Sequence, residues 1–476
     1  MGMADDSRIP KGRLRRSAKL GSAIGSQGAK YAGTRASGLF RGGDSSQEKL
    51  DEHHAETAAK MVETLGQMKG AAMKIGQFAS FIDIDFIPEE YREIYQEQMS
   101  KLRSQAPAMP WEDVVRVLEE EYDGEPVDQL FDSIEREAFA AASIGQVHRA
   151  RLIDGRGVAV KIQYPGIAEA LESDLKNAGM LVRMAQAIAP GLDAREVTRE
   201  LRERVLEELD YEYEAQNQRS FARAYRGHPF IHVPDVITRL SRRRVLVTEF
   251  VEGIGFEEVL ELDQEARDRF GEILFRGSFG SIYHLQHFNA DPHPGNYLLM
   301  EDGRVAFLDF GMTKKLDREQ IELEQRAVDA AARNDPEGLR DALHDLGFVK
   351  KPSKLDAERL MNHVRSIGGW YMEDREVEID SRRVMKMIES THDPRSEYFD
   401  LMRRESIPAD ELMGRRMEFG VLAVLGRLRA KRNWHRIMRE WVYADPPSTE
   451  LGQEEWAYFE ERGIYQVPGI TAATSE

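Results

Sequence analysis

The most constraining feature of the chain is a change of hydrophobic period. Apolar residues recur at helical spacing from Ala55 to Phe81 and again, behind Pro88, at Tyr91, Ile94, Met99 and Leu102. The Pro-rich step Ala106–Pro110 breaks that pattern, and Trp111–Tyr122 predicts one more helix. Then two short runs, Gln146–Leu152 and Gly157–Gln163, alternate or carry β-branched side chains, and Asp154-Gly155 between them is a hairpin signal. Helices are expected from Pro165 to about Arg226 and over Asp263–His287. Strands are expected at Val233–Thr238, at Arg244–Phe250 and around Asp302-Gly303, with helix afterwards, including Lys314–Arg326. A small sheet set in a mostly helical chain reads as α+β.

Charge narrows the partners. The chain has 84 acidic and 66 basic residues, a net −18, which disfavours nucleic acid because an acidic surface repels phosphate. Cysteine is absent, which removes disulfides, cysteine-ligated zinc and thiol nucleophiles. The longest clean apolar stretch, Phe419–Leu425, falls far short of the roughly 20 residues of a membrane helix. No signal-peptide pattern stands at the start, so a soluble, cytoplasmic chain is expected. Residues 1–42 run against the overall charge. Nine Lys or Arg against Asp5 and Asp6 give that leader +7 and leave −25 for the rest. It reads either as a solvated tail or as a peripheral contact with anionic membrane.

The chemistry-bearing motifs come in a consistent order. Neither GxxxxGK[ST] nor HExxH occurs. Ala140-Ala141-Ala142-Ser143-Ile144-Gly145-Gln146-Val147 fits the frame of a phosphate-covering G-x-G-x-x-G-x-V loop, with alanine at its first two glycine positions. Lys161 stands in the apolar run Val158–Ile162, where a buried ammonium needs an anion. Among the carboxylates of Val197–Ala215, Glu208 shares a helical face with Leu201 and Val205, with Asp210 and Glu214 nearby. Asp291 is followed five residues later by Asn296, and Asp309-Phe310-Gly311 follows an apolar strand. That spacing suits a carboxylate that orients an acceptor hydroxyl, with an amide and a second carboxylate reaching Mg²⁺.

Together these motifs resemble the UbiB/AarF-type (ADCK-like) atypical kinases over about residues 50–350. The resemblance rests on AAAS at 140–143, KIQYPG at 161–166, ELDYEYEA at 208–215, ADPHPGN at 290–296 and LDFG at 308–311. The family's Lys-x-Gly-Gln stands as Lys74-Ile75-Gly76-Gln77. Asn289 departs from the pattern, since the family often has histidine there. By that resemblance Lys161 pairs with Glu208, Asp291 is the catalytic acid, and Asn296 and Asp309 hold magnesium. ATP is then held by residues 140–143, Gly145, Val147, Lys161 and Glu249. The implied fold is a bilobal kinase-like one, with a leader at 1–42 and an N-terminal helical extension at 43–109. A small sheet-bearing lobe with a helical insertion follows at 110–250, a catalytic lobe at 251–345 and a C-terminal helical extension at 346–476.

The implied activity is ATP-dependent and linked to isoprenoid-quinone or lipid metabolism at membranes. Two other readings stay open: a nucleotide-gated lipid-binding module, and a small-molecule phosphotransferase of the aminoglycoside or choline type. No A-P-E follows Asp309, which argues against an ordinary protein kinase. Gln67, Gly70, Lys74 and Gln77 form a second stripe on the 55–81 helix, opposite its apolar one. Lys74 is expected to face the cleft that would admit peptide, with Glu214 or Asp309 as its carboxylate partner.

Overall fold

The computed structural model describes residues 109–169, 171–172, 199, 202–203, 205–392 and 412–464. The leader, the 55–81 helix with Lys74 and Gln77, the Pro88 helix and most of the expected 165–200 helices lie outside the described residues. Two compact units divide the chain: Met1–Ile153 with Val160–Ala185, and Asp154–Ala159 with Gln186–Glu476.

The period change becomes a sheet centred on the first unit, with β4 beginning in the stretch Asp154–Ala159 of the second. β1 (Ser133–Ile134), β2 (Ala140–Ala142), β3 (Gly145–Arg151) and β4 (Gly157–Gln163) follow the helix Trp111–Glu121. β3 pairs antiparallel with β1, Ser133 opposite Arg151, and with β2, Ala142 opposite Gly145. Alternation along β4 sets its faces. Val158, Val160 and Ile162 are fully buried, and Lys161 lies half-buried on the other side.

The second unit holds the rest. Several of its helices begin where the sequence supplies a capping carboxylate. Asp210, Asp263, Asp317, Asp335 and Asp356 each accept a backbone N–H at the start of a helix, a contact worth about 1 kcal/mol. These helices are Tyr211–Ala224, Gln264–Phe275, Arg318–Ala332, Pro336–Asp345 and Ala357–Met372. β5 (Ile231–His232), β6 (Val245–Glu249) and β7 (Ile254–Gly255) come before β8 (His287–Asn289), β9 (Tyr297–Leu299), β10 (Val305–Phe307) and β11 (Thr313–Lys315). One sheet runs β5-β10-β9-β7, and β8 pairs with β11. Beyond them β12 (Val377–Glu378) pairs with β13 (Lys431–Arg432) among the later helices Ser381–His392, Leu412–Leu428, Trp434–Val442 and Glu450–Glu461.

Three expectations are corrected. Val233–Thr238 is not a strand. Pro234 has no N–H to give a ladder, so only Val236 bridges to Thr248 and the pairing falls on Ile231–His232. The helix expected over Lys314–Arg326 begins at Arg318, because Thr313–Lys315 first pairs with β8. The helix over Asp263–His287 is interrupted by a π turn at Arg276–Gly280 and ends at Leu285, with Gln286 left-handed at φ 52°. At that turn Arg276 is wholly buried. Its guanidinium meets Glu272 at 3.0 Å, Glu440 at 2.9 Å and Glu455 at 2.8 Å, tying the turn to the last two helices.

Candidate active site

The D-x-x-x-x-N loop and Asp309-Phe310-Gly311 leave from paired strands, so they are brought together by backbone. β8 leads into the first and β11 follows the second, with Asn289 opposite Thr313. Ala290 donates its N–H to Met312 at 2.8 Å, and Leu308 donates to the Asn296 carbonyl at 3.0 Å. Side chains finish the join. Asn289 Nδ2 donates to the Asp309 carbonyl at 2.5 Å, while its Oδ1 accepts the Asp291 N–H at 3.0 Å. Asn296 Nδ2 donates to the Asp291 carbonyl at 3.0 Å, and Asp309 Oδ1 accepts from the Gly311 N–H at 2.9 Å. Asp291, Asn296 and Asp309, the three loop residues singled out from the sequence, thus lie on two joined loops. Asn289, the departure from the family pattern, adds a side-chain link between the two loops.

Helix Tyr211–Ala224 lies on the second loop through one face. Asn217 Nδ2 reaches the Phe310 carbonyl at 3.4 Å, and the Phe221 ring packs on Phe310 with centroids 4.8 Å apart. One turn before Asn217, Glu214 is buried at 3% exposure. A β-carbon placed on Gly311 would lie 3.4 Å from Glu214 Oε2 and 3.3 Å from Asp309 Oδ1, so two carboxylates flank this glycine. Glu208 belongs to a separate helical turn. Leu209 and Asp210 break the helix, and Asp210 caps the next one by accepting the Glu212 N–H at 3.0 Å. The helical turn that carries Glu208 ends there, so Glu208 and Glu214 stand on different helices.

In the first unit, Ala140–Ala142 is itself a strand, turning through Ser143 and Ile144 into β3. Ala140 and Ala141 are exposed, Ala142, Ser143 and Val147 half-buried, and Gly145 buried. Gly145 is dictated by packing, because a β-carbon there would stand 2.1 Å from the Ile162 carbonyl oxygen. Gln146 and His148 form a buried pair the sequence reading passed over. Gln146 Oε1 accepts the Met109 N–H at 2.8 Å, and its Nε2 meets His148 Nε2 at 2.8 Å. Burial holds His148 below the usual imidazole range. The neutral ring then accepts the Gln146 N–H at Nε2 and donates Nδ1–H to the Glu135 carbonyl at 2.8 Å. Glu249, at the end of β6 in the second unit, is engaged by His232 at 3.2 Å and by the Asp235 N–H at 3.2 Å; the His232 bond lowers its carboxyl below the usual range.

Around the loops the environment is fixed by burial. His287 Nε2 lies 2.9 Å from Thr313 Oγ1, and burial, with the nearby Lys315 charge, pushes the imidazole down to about 4. Asp291 Oδ1 accepts from Arg416 Nη2 at 2.5 Å. Sequence reasoning missed Arg416 and Asn217. Both act at long range, and no local motif marks either. Among the described residues no cluster of three or more His, Cys, Asp or Glu is set to hold a metal by itself. No helix among them is long and apolar enough to cross a membrane.

A family model described as the ABC1 atypical kinase-like domain matches residues 101–343. A Rattus norvegicus protein named Atypical kinase COQ8B, mitochondrial, is 33% identical over 72% of this chain and 65% of its own length. Its Danio rerio namesake is 34% identical over 63% of this chain and 47% of its own. The chain thus spans under two thirds of the length of these relatives. A solved Mycobacterium tuberculosis structure, of Rv3197 in complex with erythromycin, superposes with a TM-score of 0.61 at 32% identity. It covers 84% of this chain and 100% of its own. These matches agree with the UbiB/AarF-type motifs and with a kinase-like α+β fold. With its two loops joined as described, the chain belongs to the ABC1 atypical kinase-like family.

Proposed function

We propose that the chain is an ATP-using, Mg²⁺-dependent atypical kinase or ATPase of the UbiB type, acting on a small or lipid-linked acceptor in isoprenoid-quinone or lipid metabolism. The observation that carries this reading is the joining of Asp291, Asn296 and Asp309 through the two amide side chains. Asp291 orients an acceptor hydroxyl or water for in-line attack, a task of position before proton transfer. Asn296 turns its amide nitrogen into the loop, so its oxygen is directed away and suits a hard cation, as does the Asp309 carboxylate. This donor set fits Mg²⁺, which takes few protein ligands and keeps waters and phosphate oxygens. Bound there, the ion would neutralise phosphate charge. In the first unit the hairpin of Ala140, Ala141, Ala142, Ser143, Gly145 and Val147 covers phosphates, and Lys161 neutralises them with a glutamate partner. Glu249, at the end of β6, belongs to the proposed nucleotide-binding set.

The basic leader supports action at an anionic membrane surface, since about 1 kcal/mol per Lys or Arg is available there. A second reading has one specific support. The solved relative holds erythromycin, a bulky ligand with much apolar surface, which suits a nucleotide-gated module that binds or hands over a large apolar molecule. Steady-state nucleotide turnover by the purified chain, with and without anionic liposomes, tests the proposal. Mg²⁺-dependent turnover abolished in Asp291→Asn and raised by liposomes is expected. Turnover indifferent to Asp291 would remove the catalytic reading, and binding of apolar ligand gated by nucleotide without turnover would favour the module.

A further inference from the structure

Arg416 lies 125 positions beyond Asp291 and outside the stretch matched by the family model. It stands on the helix Leu412–Leu428 and reaches back to the D-x-x-x-x-N loop with both ends of its fork. Nε donates to the Ala290 carbonyl at 3.0 Å, and Nη2 donates to Asp291 Oδ1 at 2.5 Å. The pair is shielded, with side-chain exposures of 14% for Arg416 and 21% for Asp291. One turn along the same helix, Gly420 lies against the next loop residue. A β-carbon there would stand 2.4 Å from Pro292 Cγ, so no other residue allows this approach. Three successive loop residues, Ala290, Asp291 and Pro292, are thus gripped by one face of one helix.

We propose that Arg416 is a positioning residue for Asp291, so that the Leu412–Leu428 helix belongs to the catalytic apparatus. The argument is geometric. A carboxylate free to turn about its last bond offers either oxygen to an acceptor, in a range of directions. The guanidinium plane spans a backbone carbonyl and the carboxylate at once, which commits Oδ1 and leaves Oδ2 to meet the acceptor hydroxyl or water. Lysine, with a single compact ammonium, cannot hold both partners in one plane. The inference rests on the reading of Asp291 as the residue that orients the acceptor.

The test uses the full chain and steady-state Mg-ATP turnover, with nucleotide affinity and melting temperature measured alongside. Arg416→Ala is expected to lower kcat by about a hundredfold, the scale of a misplaced reacting group, with nucleotide affinity little changed. Arg416→Lys loses less, and added guanidinium restores part of the Arg416→Ala rate but none of the Asp291→Asn rate. Should the alanine variant fail to fold, Arg416→Lys and Arg416→Gln carry the same comparison. Wild-type kcat in these variants, a kcat that rises, or a loss confined to nucleotide affinity would overturn the positioning role. If wild-type turnover itself is indifferent to Asp291 and Asp309, the reading of the site is at fault and this inference falls with it. If turnover needs both residues and not Arg416, only the inference falls.

Discussion

Asn289 shows how much one amide settles. It satisfies the Asp291 N–H and the Asp309 carbonyl from a single side chain, which a histidine in the usual tautomers serves with different atoms. Asn289→Ala strands both backbone groups, each worth about 1–3 kcal/mol when left unpaired in a shielded site. The expected result is a lower urea midpoint together with a lower kcat. An alanine variant unchanged in both would mean the two loops hold their relation without it. Asp291, Asn296 and Asp309 were legible in the sequence because their spacing follows from local backbone. Glu214 was named as a neighbour of Glu208 and as a candidate partner for Lys74, and its burial beside Gly311 was not foreseen. The signal was present: an Asp followed by acidic residues is a helix start, and Asp210 does cap the next helix. Arg416 could not have been found this way, because its partner is 125 residues distant.

At the scale of elements, the π turn Arg276–Gly280 sets the strand that delivers Asp309. Gly277 in that turn has the Phe307 ring where its side chain would be, with Cζ 2.4 Å from an added β-carbon. Phe307 ends β10, two residues before Asp309, and packs edge-on against Tyr297 at 5.1 Å. An alanine at 277 must push the ring, and overpacking of this kind costs about 1–3 kcal/mol. Gly277→Ala is expected to lower the melting temperature and weaken Mg-nucleotide binding together. A variant that loses stability while binding as wild type would detach the turn from the site. The sequence read the hairpin at Asp154-Gly155 and the strands around Asp302-Gly303 correctly, since each turn carries its own residues. It misplaced Val233–Thr238 and Lys314 because pairing there depends on strands far along the chain, and a short Thr-Lys-Lys run has no apolar alternation to announce it.

Across the whole molecule, buried ionisable groups make stability depend on pH. Burial holds His287 at about 4 and His228 at about 3, both below the ordinary 6.5. As pH falls from about 6.5 toward 4, the unfolded chain takes up protons that the folded one refuses, so this stability is complete above 6.5 and lost below it. Burial pushes Glu455 up, but Arg276 and neighbouring histidine outweigh it and hold the carboxyl at about 2; its share is lost only below its ordinary 4.5. Urea midpoints between pH 7 and 5 should therefore fall with pH in the wild type and fall less in His287→Asn, and an unchanged slope in the variant would show that His287 titrates normally. The overall acidity of the chain forecast none of this, because net charge does not say which groups are buried. The account as a whole depends on the two loops forming a Mg-nucleotide site. Its most direct test is equilibrium binding of Mg-ATP to the wild type and to Asp309→Asn, each with and without Mg²⁺. Wild-type binding that Mg²⁺ tightens, and that Asp309→Asn reduces to the metal-free level, is the predicted result. Equal affinity in both proteins, unaffected by Mg²⁺, would contradict it.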